Sequence, residues 1–330
     1  MVVTIRCLCG VIFFFGLGPT PAQAQGPSDS TRVSEDRMLG YSFANDAFLR
    51  TDYYYTQGMT LVLVSPALQY SPVNRILGPV PAGSTLYHGI RLHYDGFTPL
   101  RIQDPFIRVG DRPYASYIYA DLFRVARHPT RRLRLTTALN VGILGPAAGA
   151  KGFQTKFHEL LGAPTPRGWH YQVRTDIVLG YEGRVEQQLL ALGQRVELDG
   201  MASASLGTLQ TYAGAGATLR LGRYQPTFAS LGVARRASRA GQPKLQAYGE
   251  LQAEGRLVGY NATLQGGLLN RRNPYVLPAS AVRRVVAQST STLGLGYAGV
   301  RVEMALTWIS PEFTGSRTHR WTTLHLRVAF

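Results

Sequence analysis

Residues 133–143 read Leu-Arg-Leu-Thr-Thr-Ala-Leu-Asn-Val-Gly-Ile, and their alternation decides the fold. Leu133, Leu135, Leu139, Val141 and Ile143 are apolar, while Arg132, Arg134, Thr136, Ala138, Asn140 and Gly142 between them are polar or small. Successive side chains of a strand point to opposite faces, so one face of this segment is greasy and the other is not. The pattern returns at Val300, Val302, Met304, Leu306 and Trp308 against Arg301, Glu303, Ala305 and Thr307. It returns again at Leu324, Leu326, Val328 and Phe330 against Thr323, His325, Arg327 and Ala329. A soluble β-sandwich alternates too, but arginine, glutamate and histidine in mid-strand suit the water-filled or hydrogen-bonded interior of a membrane barrel. At 11 residues, the first segment is long enough to cross a bilayer at a tilt.

Working outward, twelve candidate strands emerge: 37–45, 56–65, 84–97, 114–127, 131–144, 171–184, 194–207, 209–222, 243–256, 281–297, 299–309 and 319–330. Twelve is even, as a single-chain bacterial barrel requires. No segment after the leader approaches the apolar length of a transmembrane helix. The expected fold is therefore an all-β, antiparallel transmembrane barrel forming a single domain over 37–330, preceded by a short segment, 25–36. With both termini in the periplasm, the connections 46–55, 98–113 and 145–170 emerge on the outside. The chain ends on an aromatic residue, Phe330, at the tip of an amphipathic strand. That ending resembles the signal by which the barrel-assembly machinery recognises its clients.

Export is expected from the first residues. Arg6, an apolar core through Leu17 and the small-residue site Ala22-Gln23-Ala24 form a secretory signal peptide over 1–24. Both cysteines, Cys7 and Cys9, fall inside it, which excludes disulfides, thiolate catalysis and cysteine-based zinc sites from the mature chain. The chain carries a net charge of +16, and only Lys151, Lys156 and Lys244 are lysines. Arginine forks match phosphate, so nucleic acid or a phosphorylated lipid surface is the natural partner. An exported protein meets the lipid, and no nucleic-acid partner is expected.

The unusual motifs gather in the three outer connections. The first reads Asn45-Asp46-Ala47-Phe48, followed by Tyr55-Thr56-Gln57-Gly58. The second is Gly110-Asp111-Arg112-Pro113-Tyr114-Ala115-Ser116. The third, 145–172, is the one stretch with helical periodicity: Phe153, Phe157, Leu160 and Leu161 form an apolar stripe that Gly162 ends. Gln154 and His158 lie one turn apart on its flank, so both can face one point beside the helix. A single histidine on a short helix is ordinarily a packed or solvated residue. Its neighbours give it chemical meaning.

Taken in order, these motifs resemble the outer-membrane lipid A 3′-O-deacylases, calcium-dependent esterases that remove the 3′-linked acyloxyacyl group from lipopolysaccharide. The stretch Tyr260-Asn261-Ala262-Thr263-Leu264-Gln265-Gly266 belongs to the same likeness, which covers about residue 38 to the C-terminus. The resemblance implies catalytic roles for Asn45, Asp46, Thr56 and His158, with His158 as general base on a water. A histidine's unperturbed pKa near neutrality suits that work. Asp46 and Asn45 offer hard oxygens appropriate to calcium, which would polarise the ester carbonyl, and Thr56 would bond the oxyanion or the water. Arg50, Arg112 and Lys151 near the same rim are candidates for holding the phosphates or core sugars of lipopolysaccharide. Where relatives often carry an acidic residue after the tryptophan, this chain has His170. The rival readings are a barrel phospholipase or acyltransferase, which a serine paired with a histidine would favour, and a non-enzymatic pore or adhesin.

Overall fold

The computed structural model describes residues 30–330 apart from Arg50, Asp52, Gln194, Pro226, Ala229, 233–244 and the side chain of Leu161. The expected leader, 1–24, and the candidate Arg50 therefore lie outside the described residues. The strands are β1 (Arg32–Val33), β2 (Met38–Asn45), β3 (Tyr54–Val64), β4 (Thr85–Thr98), β5 (Ala115–His128), β6 (Leu133–Leu144) and β7 (Asp176–Leu192). They continue with β8 (Val196–Gly207), β9 (Gln210–Arg223), β10 (Leu245–Asn261), β11 (Val285–Tyr297), β12 (Val300–Ile309) and β13 (His319–Ala329). Each of β2 to β13 pairs antiparallel with its chain neighbours, and β13 pairs with β2 from Ala329↔Met38 to Thr322↔Asn45. The result is a closed twelve-stranded barrel with no open edge. The short β1 lies parallel to the start of β4, at Thr85 and Leu86, beyond the point where Val64 of β3 pairs with Gly89.

Alternation along the strands sorts side chains as the sequence leads one to expect. Val300, Val302, Met304 and Leu306 are exposed on the outer wall, while Glu303 between them is buried in the interior. Several interior charges are paired: Arg220 with Glu197 at 2.6 Å and Glu250 at 2.5 Å, Arg327 with Glu303 at 2.8 Å, Arg91 with Asp121 at 3.1 Å. His93 lines the interior and reaches Asp121 at 3.1 Å. His88, on the opposite face of β4, bonds Asn74 of the 65–84 connection at 2.9 Å.

Three departures from the strand pattern have local causes. The strand expected to begin at 171 begins at Asp176, because Gln172 and Val173 are buried beneath the rim and Val173 N–H donates to the Tyr114 carbonyl at 2.9 Å. β10 continues past 256 to Asn261, whose side chain then caps the short helix α2 (Ala262–Gln265). The connection after β9 does not stay outside the barrel. Its described residues Tyr224, Gln225, Thr227, Phe228 and 230–232 turn inward, with Phe228 buried and Leu231 packed on an interior cluster of Met38, Val64, Tyr87, Phe123 and Ala138.

Met304 sits at the middle of β12 on the outer wall. We expect Met304→Arg to destabilise the barrel by about 2–4 kcal/mol, the cost of a cation on a lipid-facing strand at the bilayer midplane. Urea unfolding in phospholipid vesicles measures this. A neutral effect would mean that the β12 outer face does not meet lipid.

Candidate active site

The connections 46–53, 99–114, 145–175, 262–284 and 310–318 share one rim of the barrel. The first of them is knotted around Asp46. Asn45 Oδ1 accepts from Ala47 N–H at 2.7 Å, which starts a short 3-10 turn, Ala47–Leu49. The Asp46 carboxylate accepts from Tyr53 N–H at 3.0 Å, and its carbonyl accepts from the Thr51 hydroxyl at 3.2 Å. Tyr54 enters β3 with φ 65°, in the left-handed region that a residue with a Cβ rarely occupies. Next comes a bulge: Tyr55 pairs with Phe97 and Gln57 with Gly96, leaving Thr56 as the extra residue. A bulge re-aims side chains. Gln57 bonds the outward Tyr94 at 2.9 Å, and Thr56 reaches outward to Gln154.

Gln154 belongs to α1 (Ala150–Leu161), the expected helix of the third connection. This helix lies against the outer wall, not over the lumen: Phe153 packs edge-on to Tyr94 (ring centroids 5.9 Å apart) and Phe157 to Phe43 (6.5 Å). The apolar stripe is only partly used in this way, since Leu160 is 81% exposed. Gln154 is fully buried; its amide nitrogen donates to Thr56 Oγ1 at 3.3 Å and its oxygen accepts from Trp169 Nε1 at 2.6 Å. Trp169 is fixed in turn against Tyr114, ring centroids 4.9 Å apart, and Gly168 must be glycine there, because a Cβ would stand 2.3 Å from the Tyr114 ring.

His158 follows Gln154 by one turn and is buried. Gly162, with φ 63°, turns the chain back so that the Pro164 carbonyl accepts from His158 Nδ1 at 2.7 Å. A carbonyl can only accept, so the neutral ring carries its hydrogen on Nδ1 and its basic lone pair on Nε2. Thus Thr56 and α1 are brought into direct contact, with Asn45 and Asp46 at the adjoining end of β2. As donors, the Asp46 carboxylate, Asn45 Oδ1 and the Thr56 hydroxyl are all hard oxygens, the type calcium takes. Among the described residues no cluster of three or more His, Cys, Asp or Glu that could hold a metal occurs.

The basic candidates divide. Lys151 is exposed on the first turn of α1. Arg112 is 2% exposed and has both terminal nitrogens committed inside the fold, Nη1 to Glu312 at 2.5 Å and Nη2 to Thr263 Oγ1 at 2.7 Å, with its guanidinium over the face of Phe97. It braces three rim connections and does not reach a ligand at the surface. The rest of the second motif does similar work, with Asp111 accepting from Leu100 N–H at 2.9 Å and its carbonyl from Tyr275 at 2.8 Å. Burial, with the Asp111 carboxylate adding to it, raises the Tyr275 pKa and keeps that phenol a donor. His170 is exposed against Tyr171. Ser116 is buried and bonds the Gly145 carbonyl at 3.2 Å. A serine–histidine pair does occur, Ser42 Oγ with His325 Nδ1 at 2.7 Å, but it lines the lumen.

Gln154 and Trp169 stand in the quoted motifs without an assigned role, yet they hold the site together. Trp169→Phe keeps the ring and deletes the donor, leaving a buried acceptor unmade at a cost of about 1–3 kcal/mol. We expect protease cleavage of 145–172 in intact membranes to accelerate roughly five-fold or more, because the segment opens more often. An unchanged rate would remove Trp169 from the support of α1.

The family model described as outer membrane protein LpxR matches residues 8–330. Among solved structures, LpxR from Salmonella typhimurium superposes with a TM-score of 0.70 at 20% identity, over 88% of this chain and 99% of that one. The β domain of the Bordetella autotransporter BrkA gives a TM-score of 0.44 at 11% identity, over 90% of this chain and 99% of that one. No curated protein sequence matches. The chain belongs to the LpxR family of outer membrane proteins, the family that its loop motifs resemble.

Proposed function

We propose that this chain is an outer-membrane esterase that hydrolyses the 3′-linked acyloxyacyl group of lipid A in lipopolysaccharide, at the extracellular face. One observation carries the reading. The polar array Thr56–Gln154–Trp169, with His158 one turn on, is built on the outer side of the wall, beside an apolar groove of about 370 Å³. Tyr41, Met59, Leu61, Leu92, Ile118 and Phe153 line that groove. A membrane lipid can lay an acyl chain there without leaving the bilayer, which brings its ester to the level of Gln154 and His158.

In this reading His158 Nε2 removes a proton from water as the oxygen attacks the ester carbonyl carbon. The tetrahedral oxyanion collapses, the bond to the sugar 3′ oxygen breaks, and the imidazolium returns its proton to that oxygen. Thr56 orients the water or bonds the oxyanion, and Gln154 fixes Thr56. Asp46 and Asn45 would hold calcium, which when bound supplies Lewis-acid polarisation of the carbonyl. The phospholipase or acyltransferase alternative is weaker because Ser42 and His325 face the lumen, away from lipid. The inward-turned residues Tyr224, Gln225, Thr227 and 230–232 narrow the lumen, which argues against an open pore.

Purified protein acting on lipid A in detergent micelles tests the reading. His158→Ala should lower release of the acyloxyacyl acid by roughly 10²–10⁴-fold. Chelation should abolish turnover, and excess calcium should partly restore Asp46→Ala. Turnover retained by His158→Ala, or unaffected by chelation, would overturn the corresponding assignment.

A further inference from the structure

The lumen contains a feature that ester hydrolysis does not use. Between the wall and the inward-turned residues Tyr224, Gln225, Thr227 and 230–232 lies a chamber of about 490 Å³. Arg91, Arg127, Arg134, Arg220, Arg301 and Arg327 point into it, with Glu186, Glu250 and Glu303 as the carboxylates on the same lining. A second cavity of about 340 Å³ adjoins it, sharing Val62, Arg91, His325 and Arg327.

The carboxylates are oversubscribed. Glu186 is held by Arg134 and also has Arg184 at 3.7 Å, whose Nε makes no hydrogen bond among the described residues. Glu303 accepts from Tyr248 and Arg327, while Arg301 Nε stands 3.6 Å away, again without a hydrogen bond. Arg127 is the extreme case. It is 6% exposed, lies over the Tyr87 ring, and donates from Nη1 to the Thr227 carbonyl at 2.7 Å. Its Nε has no hydrogen-bond partner, and the guanidinium makes no ion pair among the described residues.

A guanidinium stays charged in a protein, and a buried cation without a counter-ion is costly. Several planar forks converging on one space match the oxygens of a tetrahedral oxyanion. The volume is within the range of pockets that take small molecules. We propose that this chamber is a binding site for a small phosphate-bearing anion, with Arg127 and Arg301 as its principal donors. The described residues Tyr224, Gln225, Thr227, Ser230, Leu231 and Gly232 form the floor of the site: Arg127 donates to the Thr227 carbonyl and Arg301 to that of Gly232, at 3.2 Å. The site lies inside the barrel, whereas the lipid groove lies outside the wall, so the two ligands do not compete for space.

Calorimetric titration of the full folded chain in detergent micelles tests this without reference to turnover. Inorganic pyrophosphate is the first probe and glucose 6-phosphate the second, with sodium chloride at matched ionic strength as the control. Saturable binding of at least one probe is expected. Tighter binding of the first points to a free inorganic ligand, and of the second to a phosphorylated sugar. Arg127→Gln should weaken binding about tenfold or more, the loss of a charge-assisted bond. Arg301→Gln carries the same expectation should Arg127→Gln fail to fold, as judged by heat-modifiable electrophoretic mobility. The exposed rim pair Arg271→Gln/Arg272→Gln should bind as the parent does. No saturable heat with either probe, or affinity unchanged by both interior substitutions, would overturn the proposal.

Discussion

The pairing of β13 with β2 is the contact on which the rest of the structure depends. A strand in lipid must satisfy every backbone N–H and C=O from another strand, so only a closed sheet is stable there. Once the first and last barrel strands are joined, the alternation of each strand has one meaning: apolar residues face lipid and charged residues face inward. Closure also sets the position of Asn45, which ends β2 opposite Thr322. The candidate chemistry therefore begins at the seam of the barrel, on backbone that cannot drift.

From that rigid wall the site is assembled by local devices. A bulge at Thr56 puts its hydroxyl on the outer face together with Gln57, where regular alternation would send these two neighbours to opposite faces. Two aromatic contacts dock α1 on the wall, and Gln154 links Thr56 to Trp169 through one buried amide. His158 is oriented from its own loop through Pro164. The buried ion pair of Arg112 with Glu312 ties the neighbouring connections together behind this array. A polar array on the lipid side of a barrel is a costly arrangement, and it makes chemical sense for a substrate that resides in the membrane.

Much of this was legible in the residues. Alternation at 133–143, 300–308 and 323–330 identified the barrel, and the 3.6-residue spacing of Phe153 and Phe157 identified the helix. His158 and Gln154 were found because a helix brings residues one turn apart together. What could not be read depends on partners distant in sequence. Arg112 reads as a surface cation until Glu312 and Thr263 are seen around it. The bulge at Thr56 exists only relative to β4, so no pattern within β3 announces it. The inward course at Thr227 and Gly232 has no periodicity to announce it; these residues supply the acceptors for Arg127, Arg220 and Arg301. Leu160 fits an amphipathic stripe, yet it is exposed, because a helix resting on a barrel wall buries a narrower face than one inside a core.

In the proposed reading the site works on a lipid lying against the outside of the wall. Mass spectrometry of lipid A from a Gram-negative host tests it directly, comparing cells expressing this chain with cells expressing a form whose groove is filled by Met59→Trp. Lipid A should lose one acyloxyacyl unit from the 3′ position with the parent chain and stay intact with the filled groove. Intact lipid A in both, from protein folded in the outer membrane, would contradict it, as would equal deacylation in both.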